Sequence, residues 1–267
     1  MSLGIADKVI ELGGGRIQYA ETGSGDKTLV FIHGAGGFVP SRHHSEFMTR
    51  LGESFRVLAP SLPGFDESTP GEETITALAE AIAVFIEKTC DGPVVIIGQS
   101  FGSRVALWLT INHPELVESL VLSGPAALSQ RPPAPPPGSP PPAAPTSEQL
   151  HKRLYGDVKV VHTPEETALM AKNAAQSQRF SQPSRDELLV RMPEIEALTL
   201  VLFGTEDAMA SSPDAGAAVY QRTIPHAYSM YLYAAAHELP VIAAERYAAL
   251  IEDFAKRGEA FIVNHPA

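Results

Sequence analysis

The chain of 267 residues contains a single cysteine, Cys90, so no internal disulfide can form. Cys90 closes a helical pattern, where a lone thiol reads as a small apolar filler rather than a nucleophile. Positive charge is also scarce. Lys and Arg number 20 against 31 Asp and Glu, a formal net charge of -11, whereas binding a phosphate backbone needs clustered cations; no nucleic-acid partner is expected. No apolar run approaches the length that crosses a bilayer, so no membrane span is expected. Residues 1–4 lack a basic stretch leading into a long apolar one, which argues against a secretory signal and makes the cytoplasm the expected location. His43 and His44 are adjacent and would diverge, with no carboxylate or cysteine cluster beside them, so neither a metal nor a cofactor is expected.

What the chain does have is 44% hydrophobic residues, enough to bury a large core, arranged as alternating strand and helix patterns. Lys8-Val9-Ile10-Glu11 and Arg16-Ile17-Gln18-Tyr19-Ala20-Glu21 flank Gly13-Gly14-Gly15, an antiparallel hairpin signature. Thr28-Leu29-Val30-Phe31-Ile32, residues 55–60, 94–97, 116–122, 198–203 and 228–233 read as further strands, most of them apolar enough to be buried on both faces. Ile75, Leu78, Ile82, Phe85 and Ile86 share one helical face, and a last helix opening at Pro240 carries Tyr247, Leu250, Ile251 and Phe254 at the same spacing.

The alternation is interrupted after residue 124. Residues 131–145 are mostly proline, alanine and glycine and read as an extended connector. Three helical patterns follow, each opening on a capping signature: Thr146 with Gln149, Thr163 with Glu166, and Ser184 with Glu187. The expected organisation is a core of residues 1–124 and 194–267 with a helical cap at 125–193.

The strand at 94–97 runs into Gly98-Gln99-Ser100-Phe101-Gly102, and a helix pattern starts at once. Such a G-x-S-x-G turn exposes its serine at the tip of a strand, and it is tight enough to need glycine at both ends. Two other strands end on Asp207 and on the loop before His237, in the order serine, acid, base. In a mostly parallel sheet these three lie at one edge. A histidine can take the serine proton and later return it, and a buried carboxylate fixes the imidazole tautomer, so Ser100, His237 and Asp207 are the candidate nucleophile, base and acid. Glu206 adjoins Asp207 and competes with it for the role of acid. The backbone amide of Phe101, with that of Ala35 or Gly36 in His33-Gly34-Ala35-Gly36-Gly37, forms the candidate oxyanion hole. His33 is expected to brace that loop, and Asp66 to be a loop charge. In the cap, Leu169, Met170 and Phe180 are expected to pack.

With Leu62-Pro63-Gly64-Phe65, Gly204-Thr205-Glu206-Asp207 and Ala236-His237, these motifs make the chain resemble the α/β-hydrolase family over nearly its whole length. The resemblance implies an α/β fold with a mostly parallel eight-stranded sheet flanked by helices and a cap between the sixth and seventh strands. It also implies nucleophile, acid and base at Ser100, Asp207 and His237. Relatives often carry aspartate at the position of Ser61 and glycine at that of Ser103. The expected activity is hydrolysis of a small or medium carboxylic ester through an acyl-enzyme, the partner being a small ester-like molecule. Amide or carbon-carbon bond hydrolysis with the same triad is the alternative, weakened by Glu238 where the carbon-carbon branch has tryptophan. A non-catalytic binding homologue is a third.

Overall fold

A computed structural model describes residues 4–37, 45–126, 128, 146–209 and 213–262. The expected connector at 131–145 and the pair His43-His44 lie outside them. β1 (Ala6–Leu12) and β2 (Gly15–Thr22) form the hairpin, with Ile10 opposite Ile17. Next come β3 (Thr28–Ile32), α1 (Ser45–Gly52), β4 (Arg56–Pro60), α2 (Ile75–Thr89) and β5 (Val94–Gln99), then α3 (Gly102–Asn112) and β6 (Val117–Ser123). α4 (Ser147–Tyr155), α5 (Pro164–Ser177) and α6 (Arg185–Arg191) stand between β6 and β7 (Leu198–Gly204). α7 (Pro213–Thr223), β8 (Ala227–Leu232), α8 (Leu239–Ile242) and α9 (Ala244–Arg257) complete the order.

Among the described residues the eight strands form one sheet in the order β1-β2-β4-β3-β5-β6-β7-β8. Pairing is antiparallel at β1-β2 and β2-β4 and parallel elsewhere. Period-2 geometry sends alternate side chains of the central strands to opposite faces. Val30, Ile32 and Ile96 join a core with Leu78, Ile82, Val105 and Trp108 of α2 and α3. Leu29, Phe31, Val95 and Ile97 join a second core with Phe47 of α1 and Tyr247, Ile251 and Phe254 of α9. A one-residue slip of β3 or β5 would leave these side chains buried but send each into the opposite core, whose close packing is built around other shapes, and that mismatch fixes the register. That fixed register sets where each strand ends, and hence where the loops that follow β5, β7 and β8 emerge.

Two helices had no counterpart in the periodicity. α1 buries Phe47, Met48 and Leu51 within only eight residues, and α7 is rich in alanine and glycine. The last helix also differs from expectation. It begins as the short α8, leaves helical geometry at Ala243 (φ -133°, ψ 31°) and restarts as α9, whose Tyr247 N–H bonds the Ala243 carbonyl at 2.8 Å. The break lets Leu239 and Pro240 bury beside the His237 loop while Tyr247, Ile251 and Phe254 still reach the sheet.

The three helices after β6 are tied to the rest at both ends. Capping boxes at Thr146–Gln149 and Thr163–Glu166 start α4 and α5, and Ser184 caps α6 through the Glu187 amide. The Leu154 carbonyl accepts the Glu238 amide at 2.9 Å, beside His237, and Ser181 bridges to the start of α2 through Glu73 and Ile75. No helix among the described residues is long and apolar enough to cross a membrane.

Candidate active site

β5 delivers Ser100 at φ +49°, a left-handed conformation that costs a non-glycine residue about 1–3 kcal/mol. The elbow is held against that strain. Ser100 N–H donates to the Ser123 carbonyl at 2.9 Å, and the Ser100 carbonyl accepts from Ser103 Oγ at 2.6 Å. Ser103 Oγ in turn accepts the Ala126 amide at 3.1 Å, so this serine ties the exit of β6 to the elbow. Gly98 and Gly102 leave no room for a side chain. A Cβ at 98 would lie 2.6 Å from the Ala106 Cβ, and one at 102 would strike the carbonyl oxygens of Ile32 and His33.

The loop after β8 brings His237 Nε2 to 2.8 Å from Ser100 Oγ. Its Nδ1 lies 2.9 Å from Asp207 Oδ2, from the loop after β7. A carboxylate oxygen can only accept, so Nδ1–H donates to Asp207 and Nε2 is left to accept from the serine hydroxyl. Asp207 is 4% exposed, and its other oxygen accepts the Met209 amide at 2.9 Å. Burial alone would depress the imidazole pKa. The hydrogen bond and charge of Asp207, with the charge of Glu238 adding, outweigh that and hold it above its ordinary value. Glu206, the competing acid, is exposed and lies near Gly156 of the α4 end, away from this chain of bonds.

Beside the serine lies a cleft of about 330 Å³ lined by Ala35, Phe101, Arg104, Phe180, Met209 and His237 among others. Ala35 and Phe101 thus share the cleft with Ser100, whereas Gly36 stands one residue back with its carbonyl bonded to Asn173 Nδ2 at 3.0 Å. No intramolecular acceptor takes the amides of Ala35 or Phe101 among the described residues. His33 is completely buried. Its Nε2 accepts the Leu62 amide at 3.0 Å, which leaves Nδ1–H to donate to the Gly34 carbonyl at 2.7 Å. Burial lowers its pKa against the opposing charge of Asp66, so it stays a neutral brace of the loop. Phe180 both lines the cleft and packs, stacked on Phe65 at 5.7 Å and edge-on to Phe101 at 6.0 Å.

Three residues of the neighbourhood escaped the sequence reading. Asp66 is more than a loop charge, since it accepts Ser61 Oγ at 2.6 Å and Asn173 Nδ2 at 2.7 Å. Asn173, on α5 and completely buried, joins that carboxylate to the Gly36 carbonyl. Glu238 accepts Gln99 Nε2 at 3.2 Å, linking the residue after the histidine to the residue before the serine. Among the described residues no group of three or more His, Cys, Asp or Glu is arranged to hold a metal.

Known proteins share this architecture. The chain is 28% identical over 247 residues to pimeloyl-[acyl-carrier protein] methyl ester esterase of Neisseria meningitidis serogroup A, an alignment covering 85% of this chain and 76% of that protein. It is 32% identical over 117 residues to the dihydrolipoyllysine-residue acetyltransferase component of the acetoin cleaving system of Cupriavidus necator, over 43% of this chain but only 31% of that protein. A crystal structure of a serine hydrolase involved in carbazole degradation superposes with a TM-score of 0.74 at 22% identity, across 95% of this chain and 99% of that one. The family model of the alpha/beta hydrolase fold matches residues 27–244, which together with the sheet order assigns the chain to the alpha/beta hydrolase family of enzymes.

Proposed function

We propose that the protein hydrolyses small or medium carboxylic esters through an acyl-enzyme on Ser100. The observation that carries this reading is the unbroken run of hydrogen bonds Ser100–His237–Asp207, opening on a cleft from a serine held at φ +49°. His237 Nε2 takes the hydroxyl proton as Oγ attacks the ester carbonyl, and Asp207 steadies the imidazolium that results. The oxyanion forms beside the amides of Phe101 and of Ala35 or Gly36, whose dipoles are oriented before the reaction begins. Collapse of the tetrahedral adduct expels the alcohol, which takes its proton from His237, and a water activated by the same nitrogen then releases the acid. No step calls for a cofactor.

In this reading residues 125–193, with α4, α5 and α6, form a cap over a core made of 1–124 and 194–267. An ester, rather than an amide or a carbon-carbon bond, is favoured because the Neisseria relative, which aligns with most of this chain, is a methyl ester esterase. The test is turnover of short aryl esters by the wild type and by Ser100→Ala, with fluorophosphonate labelling of both. Turnover and labelling confined to the wild type support the reading; a folded Ser100→Ala with wild-type turnover overturns it. A wild type that neither turns over nor labels points to the non-catalytic binding homologue.

A further inference from the structure

We propose that Asn173 is a positioning residue which sets, from α5, the shape of the loop that supplies the second oxyanion donor. The proposal rests on the ester-hydrolase reading of Ser100 and the amide of Ala35.

The side-chain amide of Asn173 meets three partners and matches each. Oδ1 accepts the Asp66 amide at 3.2 Å, and Nδ2 donates both to Asp66 Oδ1 at 2.7 Å and to the Gly36 carbonyl at 3.0 Å. Acceptors face its nitrogen and a donor faces its oxygen, so its orientation is fixed by its neighbours. Space for it exists only because residue 37 is glycine. At φ +83°, a Cβ on Gly37 would run into Nδ2. Asp66 is itself held, its Oδ2 accepting from Ser61 Oγ, at a backbone φ of +49°.

The Gly36 carbonyl matters because of what shares its peptide plane. A trans peptide is planar, with N–H and C=O pointing in opposite directions. The plane that ends in the Gly36 oxygen also contains the Gly37 N–H, which donates to the Gly34 carbonyl at 3.1 Å. That Gly34 oxygen, held as well by His33 Nδ1, belongs to the plane whose N–H is that of Ala35. Drawing the Gly34 carbonyl back therefore turns the Ala35 N–H the other way, toward the cleft that Ala35 lines with Ser100. Asn173 fixes the peptide that makes this clasp. Leucine here would remove all three hydrogen bonds, and aspartate would set a carboxylate against a carboxylate and a carbonyl.

The experiment separates the loop contact from simple docking of α5. Asn173→Asp is compared with the double variant Asp66→Asn/Asn173→Asp. In the double variant the amide introduced at position 66 can donate to the carboxylate introduced at position 173 and rebuild that pair, while the Gly36 carbonyl still lacks an amide donor. Melting temperature, kcat and KM on an aryl ester, and Ki for a trifluoromethyl ketone, whose adduct carries an oxyanion, are measured for each. Asn173→Asp is expected to lose stability and to lower kcat about 10–100-fold, with little change in KM and a parallel loss of ketone affinity. The double variant is expected to recover melting temperature but not kcat. Recovery of both together overturns the proposal, because the residue would then be structural only. Should Asn173→Asp not fold, Asn173→Ser, uncharged and smaller, must show the same kcat loss; wild-type kcat in it overturns the proposal. Ser100→Ala is run beside these, and turnover surviving in it fells the underlying ester-hydrolase reading instead.

Discussion

Gln99 and Glu238 touch across the back of the site, Gln99 Nε2 donating to Glu238 Oε1 at 3.2 Å. This contact joins the residue before Ser100 to the residue after His237. It also brings a carboxyl beside His237, one whose own pKa is raised by burial against the opposing imidazole and Gln99. Negative charge there helps hold His237 above its ordinary pKa. In the proposed mechanism only the neutral imidazole accepts the serine proton, so activity is expected to fall as pH drops through that pKa, and the acid limb of kcat/KM against pH should lie above the ordinary histidine value near 6.5. Glu238→Gln keeps an acceptor for Gln99 and removes the charge. Its acid limb is expected to move to lower pH, with little change on the alkaline plateau. A limb that stays in place would show that Glu238 does not act on the imidazole.

The elbow strain has its own signature. Ser100→Ala and Ser100→Gly both delete the hydroxyl and its bond to His237, but only glycine adopts φ +49° without steric cost. Strain relief of about 1–3 kcal/mol, less the roughly 0.5–1 kcal/mol of extra chain entropy that glycine loses on folding, leaves a net gain of about 1 kcal/mol. Ser100→Gly is therefore expected to melt about 2–4 °C above Ser100→Ala while both lack turnover. Calorimetry of the two variants decides it, and a glycine variant that melts no higher would mean the backbone relaxes at no cost.

Much of this architecture is legible from composition along the chain, and the physics says why. β3, β5 and β7 are continuous apolar runs because both faces are buried, and such runs stand out in any sequence. Ser100, Asp207 and His237 are each read at a strand end, and the parallel register is what carries three such ends to one edge. Asn173 had no comparable signal. A buried amide on a largely polar helix looks like a solvent-facing one, and its partners Asp66 and Gly36 are 107 and 137 residues away. The break at Ala243 was hidden for a different reason: the spacing of Tyr247, Ile251 and Phe254 is the same whether the helix begins at Leu239 or restarts at Ala244.

Phe180 joins the helices after β6 to the cleft. Its ring, 8% exposed, stacks on Phe65 and meets Phe101 edge-on, so truncation removes buried area and two aromatic contacts. Phe180→Ala is expected to destabilise by about 3–5 kcal/mol and to widen the cleft on the side of Phe101. Aryl esters with longer acyl chains should then gain in kcat/KM relative to acetate, a comparison of two substrates on one variant that is independent of how much of the protein is folded. An unchanged ratio would mean that the acyl group lies elsewhere.

Asp207 offers the sharpest test of the proton path. Its Oδ1 must accept the Met209 amide and its Oδ2 faces His237 Nδ1, so both oxygens are committed as acceptors. In Asp207→Asn the Met209 N–H selects the amide oxygen for itself, which turns the new NH2 toward His237. Nδ1 must then accept, the ring proton moves to Nε2, and Nε2 presents a donor to Ser100 Oγ where a base is needed. kcat is expected to fall by about 10⁴-fold with KM little changed, while the fold survives because every position is still filled. Glu206→Gln, at an exposed site beside Gly156, is expected to keep wild-type kcat. The two variants assayed together on one aryl ester assign the acid: a large loss in Glu206→Gln with activity retained in Asp207→Asn would move that role to the neighbouring residue.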